Sequence, residues 1–112
     1  MIKKSFGAAL TGTIATVYTV PSSKKAEWVL TYITNTSGSN GSVTLQYYDA
    51  SEDATLAILD TYTISSKEFF QIGGNVNEFI IMRAGDQIKA SATHEMTLLI
   101  SVVESNDVIT GG

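Results

Sequence analysis

The chain has 112 residues, contains no cysteine, and carries seven basic and eleven acidic side chains, which give a net charge of −4. This length suits one domain with one hydrophobic core, and the lack of cysteine excludes disulfides and thiolate metal sites as sources of stability. No uninterrupted apolar run reaches the roughly eighteen residues of a membrane span, and the acidic body is a poor match for a polyanion, so neither a membrane nor nucleic acid is an expected partner.

The N-terminal region differs in charge from the rest of the chain. Residues 1–25 contain Lys3, Lys4, Lys24 and Lys25 and no acid, whereas the remainder has three basic residues against eleven acidic ones. Glycine and threonine residues interrupt the apolar run near the start, so the pattern does not predict a signal peptide. We interpret residues 1–13 as an arm that reaches a partner through Lys3, Lys4 and Phe6, since charge complementarity favours association with an acidic neighbour. The alternative is that the lysine pairs are exposed and have no role.

From residue 14 onward the sequence alternates between apolar and polar side chains with a period of two, which is typical of strands. No apolar stripe with helical spacing is sustained. Glycine and asparagine in residues 35–42 favour a hairpin turn. The pattern predicts one all-β domain over residues 14–104, an antiparallel, jelly-roll-like β-sandwich of about eight strands, followed by a tail over residues 105–112. The predicted strands are residues 14–20, 27–34, 43–49, 55–63, 69–72, 79–82, 87–92 and 96–103.

Several predicted strands are apolar on both faces. Val29 and Ile33 alternate with Trp28 and its neighbours, and Leu99 and Val103 alternate with further aliphatic residues. A sandwich strand needs only one apolar face, so the second face of these strands is predicted to be covered by other polypeptides. Val29, Ile33, Leu99 and Val103 therefore join the arm residues as interface candidates. The alternative is that short strands and β-bulges blur the alternation.

The sequence offers no recognisable catalytic, cofactor or metal site, and we predict a protein that is not an enzyme. His94 is the only histidine, and Asp49, Glu52 and Asp53 fit a solvated acidic turn better than a calcium loop. Strand tyrosines such as Tyr32 and the single tryptophan leave open a stacking surface for sugars, although core packing accounts for most of them.

Four segments together resemble small virion proteins of tailed bacteriophages: residues 16–21, the strand end at 35–37, the turn and strand over 83–91, and the closing strand at 100–104. The resemblance spans residues 14–104 and carries no catalytic signature. It implies a structural virion protein, assembled in the cytoplasm of a bacterial host. The first expectation is a head decoration (cement) protein that contacts the major capsid protein and forms a homo-oligomer, for example a trimer. The alternative is a tail or fibre accessory protein with a carbohydrate-binding surface.

Overall fold

The structure is a computed structural model that describes residues 2–74 and 80–107. The described residues form nine β-strands. Their bounds are β1 Ile2–Leu10, β2 Ala15–Thr19, β3 Lys24–Asn35, β4 Gly41–Asp49, β5 Ala54–Ile64, β6 Phe69–Gly73, β7 Ile80–Arg83, β8 Gln87–Ala92 and β9 Met96–Asn106.

The strands form two antiparallel sheets that pack as a sandwich, which confirms the predicted fold class. Sheet A has the order β1-β9-β3-β6, and β7 pairs with the same side of β3, beyond the end of β6. Sheet B has the order β2-β8-β4-β5. When β6 and β7 are counted as one interrupted strand, each sheet is four strands wide and the chain crosses between sheets in the pattern of a jelly roll.

The core lies between the sheets and follows the alternation of the strands. On β9, Met96, Leu98, Ile100 and Val102 are buried, whereas their neighbours face the outside of sheet A. Alternate residues of β8 and the first half of β4 close the core from sheet B. A period-two pattern with one buried face is what holds a strand in register, because a slip by one residue would exchange the two faces.

The predicted arm is wrong for most of its length, because Ile2–Leu10 is an edge strand. All nine residues of β1 pair with β9, from Ile2 opposite Glu104 to Leu10 opposite Met96. Phe6 faces the inside of the sandwich and its ring lies 5.1 Å from that of Tyr18. The burial of Phe6 and Leu10 against the core accounts for this pairing, so the sandwich begins at residue 2 and not at residue 14. The C-terminal boundary also shifts, since β9 extends to Asn106.

A β-bulge at Val29 changes which residues of β3 share a face. The pairing of β3 with β9 shifts register between Trp28 and Leu30, so Trp28 and Thr31 lie on the same buried side and share a 2.7 Å hydrogen bond. A strict alternation along the sequence predicts that Trp28 shares a face with Leu30 and Tyr32, and this prediction is wrong because the bulge inserts one residue. Gly73, at φ 83°, accommodates the bulge, since a Cβ there would collide with the Val29 carbonyl oxygen.

Candidate interaction surface

The outer faces of the two sheets differ in the number of large apolar side chains that they carry. The outward residues of sheet B are polar, and Tyr48 adds one aromatic ring that lies 5.0 Å from the Lys89 ammonium. These polar residues are Thr16, Ser42, Thr44, Gln46, Thr63, Gln87, Lys89 and Ser91. The outward residues of sheet A include several large apolar side chains among polar ones. Because these large apolar side chains are partly exposed to water, sheet A is the face on which a partner would remove unfavourable surface from water.

The apolar residues on the outer face of sheet A form what we call the outer patch, defined by Tyr32, Phe69, Ile81, Leu99 and Val103. Phe69 is 61% exposed, Ile81 58% and Leu99 43%. The rings of Tyr32 and Phe69 lie 6.2 Å apart in a tilted arrangement, so they form one raised aromatic pair. An exposed apolar patch of this kind on one sheet is typical of a protein interface.

A shallow depression lies beside the outer patch, over the edge strand. The outward residues of β1 at this level, Gly7 and Ala9, are small and leave a recess of about 550 Å³ that extends across β9 to Tyr32 and Thr34 on β3. The same face therefore carries an aromatic pair on β3 and β6 and a recess between β1 and β3.

Charged residues lie at one end of the outer patch. Lys3 and Glu27 occupy the same row across the sheet, since Lys3 pairs with Val103 and Val103 pairs with Glu27. Lys25 and Arg83 pair with each other one step further along. In the part of the chain that the structure describes, the one ion pair is Lys4–Glu104, so Lys3 and Glu27 remain available to a partner.

The structure separates the seven predicted interface residues into three groups. Lys3, Leu99 and Val103 lie on the outer face of sheet A. Val29 is half-buried in the bulge. The other three do not belong to that surface, and their assignment is corrected: Ile33 is 0% exposed in the core, Phe6 packs on Tyr18, and Lys4 binds Glu104.

Lys4 belongs to a polar cluster that joins the two sheets. The Tyr18 hydroxyl on β2 donates a 2.6 Å hydrogen bond to Oε2 of Glu104 on β9, and the Lys4 Nζ lies 2.9 Å from Oε1. Burial by itself raises the pKa of Glu104, but the hydrogen bonds from Tyr18 and Lys4 and the nearby positive charges outweigh it, so the pKa lies below its ordinary value. Burial, together with the bond to the charged Glu104, raises the pKa of Tyr18.

These shifts predict a stability that falls at both ends of the pH range. The Glu104 pKa is lower in the folded state than its ordinary 4.5. The contribution of Glu104 to the free energy of unfolding is therefore complete above pH 4.5 and is lost as the pH falls through the pKa of the folded state. The Tyr18 pKa is higher than its ordinary 10.0, so its contribution is complete below that pH and is lost as the pH rises towards the folded value. Urea unfolding as a function of pH measures both limbs.

The matched variant for this experiment is Glu104→Gln, which removes the titrating group and keeps the side-chain shape. Its acid limb should be shallower than that of the wild type, although a residual slope remains because Asp49 also has a lowered pKa, caused chiefly by its hydrogen bond from Ser51. An acid limb of unchanged slope would show that Glu104 does not couple folding to protons.

A second buried carboxylate, Asp86, organises the turn between β7 and β8. Its Oδ2 accepts hydrogen bonds from the Tyr47 hydroxyl at 2.5 Å and from the Arg83 backbone N–H at 2.9 Å. Its Oδ1 accepts one from the Ala50 backbone N–H at 3.0 Å. Among the described residues, every buried side-chain nitrogen or oxygen has a hydrogen-bond partner, so these polar groups are used by the fold itself.

The residues considered for chemistry are not brought together. His94 is exposed in the turn between β8 and β9, and its Nδ1 lies 3.2 Å from the Thr93 hydroxyl. The carboxylates of Asp49 and Asp53 accept hydrogen bonds from Ser51 and Tyr48, within their own hairpin. Residues 2–74 and 80–107 contain no group of three or more potential metal ligands. The same stretches contain no helix with the length and apolar character needed to cross a membrane.

Comparison with known proteins supplies a fold relationship. No known protein family matches the sequence, and no curated protein matches it. The fold is similar to that of a chain in the structure of infectious bursal disease virus, Gx strain, with a TM-score of 0.55. The similarity covers 95% of this chain and 30% of the viral chain at 8% sequence identity, so it concerns the fold alone. The bacteriophage resemblance therefore stays a prediction.

Proposed function

We propose that the protein is a structural component of a virus particle and that it acts through protein–protein contacts made by the outer face of sheet A. In the finer form of the proposal it is a capsid decoration protein of a tailed bacteriophage, bound to the major capsid protein of particles assembled in the host cytoplasm. The observation that carries the proposal is the contrast between the two outer faces, since sheet A carries the exposed apolar residues of the outer patch and sheet B carries Tyr48 among polar residues. The jelly-roll topology and the fold shared with a chain of a virus structure support it.

The size of the outer patch indicates how such a protein would bind. Phe69, Ile81 and Leu99 are each already about half buried, so covering them contributes on the order of 1 kcal/mol apiece. Binding must also overcome the entropic cost of association, so one such face gives weak attachment. A particle that presents many equivalent sites, each with several contacts, compensates for weak single contacts through multivalency.

The proposal is tested by association with particles. A tagged chain produced during virus growth should co-sediment with purified particles. Leu99→Asp, which places a charge in the centre of the outer patch, should reduce the bound fraction at least fivefold. The matched control is Thr44→Asp on the outer face of sheet B, where a carboxylate meets only polar neighbours and binding should be unchanged. Absence of the wild-type chain from the particles, or equal loss by both variants, would contradict the proposal.

The exposed aromatic pair favours one second candidate, a receptor-binding surface for carbohydrate on a tail or fibre accessory protein. Tyr32 and Phe69 lie 6.2 Å apart on a face that also has threonines, and sugars stack on such rings. A glycan array with the purified protein separates the candidates. Binding that is lost in Phe69→Ala and retained in Leu99→Asp would support the glycan surface, whereas no bound glycan would leave the assembly role.

A further inference from the structure

We propose that the outer patch is covered by a second copy of this chain, packed face to face across a two-fold axis that runs parallel to the strands between β9 and β3. This inference rests on the proposed function, because it names the occupant of the same face. A two-fold axis brings the same surface of both copies together, so the surface must be complementary to itself. The outer face of sheet A meets this requirement in both shape and charge.

The shape argument follows from the register of the sheet. Ala9, Thr97, Thr34 and Phe69 form one row across the four strands, and Gly7, Leu99, Tyr32 and Gln71 form the next. The proposed axis lays β1 of one copy over β6 of the other, and β9 over β3. Phe69, the most exposed large apolar residue of the face, then enters the recess above Ala9 of the second copy. In the next row Leu99 meets Tyr32. Each contact occurs twice.

The charge argument comes from the row that contains Lys3 and Glu27. Lys3 lies on β1 and Glu27 on β3, with Val103 of β9 between them. When β3 of the second copy covers β9, its Glu27 lies next to Lys3 of the first copy. The dimer therefore gains two symmetry-related ion pairs at the rim of an apolar contact, where opposite charges fix register.

The area of the face sets the strength of the contact. Four strands at about 4.8 Å spacing and about eight residues along each strand give a face of roughly 500 Å² per copy. The total of roughly 1,000 Å² lies at the lower limit for a specific interface. Face-to-face packing of two sheets is itself a common arrangement, with a spacing of about 10 Å. We therefore expect a dimer that forms at micromolar concentration and is reinforced on a particle.

Engineered cysteines test the geometry directly, because the natural chain has none. Mixing Ala9→Cys with Phe69→Cys in the presence of a bifunctional thiol reagent that spans about 10 Å, the spacing of packed sheets, should cross-link the two variants in preference to either homodimer. Ala9 residues of the two copies lie on opposite sides of the proposed axis, roughly 14 Å apart across the sheet in addition to that spacing, which is beyond the reach of such a reagent. A Thr44→Cys protein, altered on the outer face of sheet B, is the control for random collision. A statistical mixture of all products, or no cross-link above the control, would overturn the proposed pairing.

A charge exchange tests the register without altering the core. Lys3→Glu and Glu27→Lys should each raise the dissociation constant, measured by sedimentation equilibrium, about tenfold, because each replaces two attractions by two repulsions. The double variant Lys3→Glu/Glu27→Lys should return to within about twofold of the wild type, and Lys89→Glu on sheet B should leave dimerisation unchanged.

The two proposals fail in different ways. A wild-type chain that is monomeric at about millimolar concentration, or trimeric, overturns the dimer even if it still co-sediments with particles. A dimer that shows the charge-exchange pattern but does not bind particles confirms the pairing and contradicts the virion role.

Discussion

Replacing Asp86 with alanine is expected to lower the free energy of unfolding by about 3–5 kcal/mol, the range for removing one member of a buried, charged hydrogen-bond cluster. Asp86 is 4% exposed, and its carboxylate accepts hydrogen bonds from the Tyr47 hydroxyl and from the backbone N–H groups of Ala50 and Arg83. In the variant these three donors lose their partner at once, in a turn that connects both sheets. Urea denaturation followed by tryptophan fluorescence measures the loss, since Trp28 is buried in the folded state.

The structure provides a matched control with the same chemistry at the surface. The Tyr48 hydroxyl donates a 2.6 Å hydrogen bond to Asp53, so it is also a tyrosine–aspartate pair, but both residues lie at the solvated end of the β4–β5 hairpin. Asp53→Ala should therefore cost far less than Asp86→Ala, because water replaces the lost partner. Equal losses in the two variants would mean that burial does not give Asp86 its structural importance.

Much of the sandwich could be predicted from the sequence because each strand buries one face. The predicted strands at residues 43–49, 69–72 and 87–92 agree with β4, β6 and β8 to within two residues at each end. In residues 87–92 the alternation of apolar and polar residues is uninterrupted and a turn follows, so local pattern and tertiary environment favour the same structure. The predicted strand at residues 79–82 overlaps β7, and its first residue, Phe79, lies outside the described residues.

The sequence pattern did not predict β1, although alternate residues of this segment are apolar. Phe6, Ala8 and Leu10 alternate towards the core, but Lys4 occupies the preceding inward position and two small residues face outward, so the segment has little of the β-branched character of a strand. The inward Lys4 is explained only by its partner Glu104, which is distant in sequence. The charge of Lys4 therefore favoured the prediction of an arm, whereas in the fold Lys4 forms an ion pair on the inner side of β1.

The two-sided apolar pattern had two causes that the sequence could not separate. At Val29 a β-bulge interrupts the alternation, so the apolar residues on both sides of β3 there do not form a second exposed face. On β9 the alternation is regular, and Leu99 and Val103 face the outside of sheet A. The contrast with the polar outer face of sheet B emerges only from topology, because the strands of the two sheets are interleaved along the chain.

The other large effect on stability is expected at Ile33, which the sequence predicts at an interface and which lies in the core. Ile33→Ala should lower the free energy of unfolding by about 2–5 kcal/mol, because Ile33 is 0% exposed and truncation leaves a cavity between the sheets. Leu99→Ala, on the opposite face of the adjacent strand, should lower the stability of the monomer by only about 1 kcal/mol, since Leu99 is 43% exposed.

The two alanine variants should exchange their order when association is measured. Leu99→Ala removes an aliphatic side chain from the centre of the outer patch and should weaken self-association, whereas Ile33→Ala, studied well below its unfolding temperature, should leave it unchanged. Thermal unfolding and sedimentation equilibrium on the same samples provide both readouts. Because Ile33 and Leu99 lie on neighbouring strands but on opposite faces of one sheet, this reversal would assign folding to the inner face of sheet A and assembly to its outer face. A Leu99 variant that loses stability as strongly as the Ile33 variant would instead make the outer patch a part of the core.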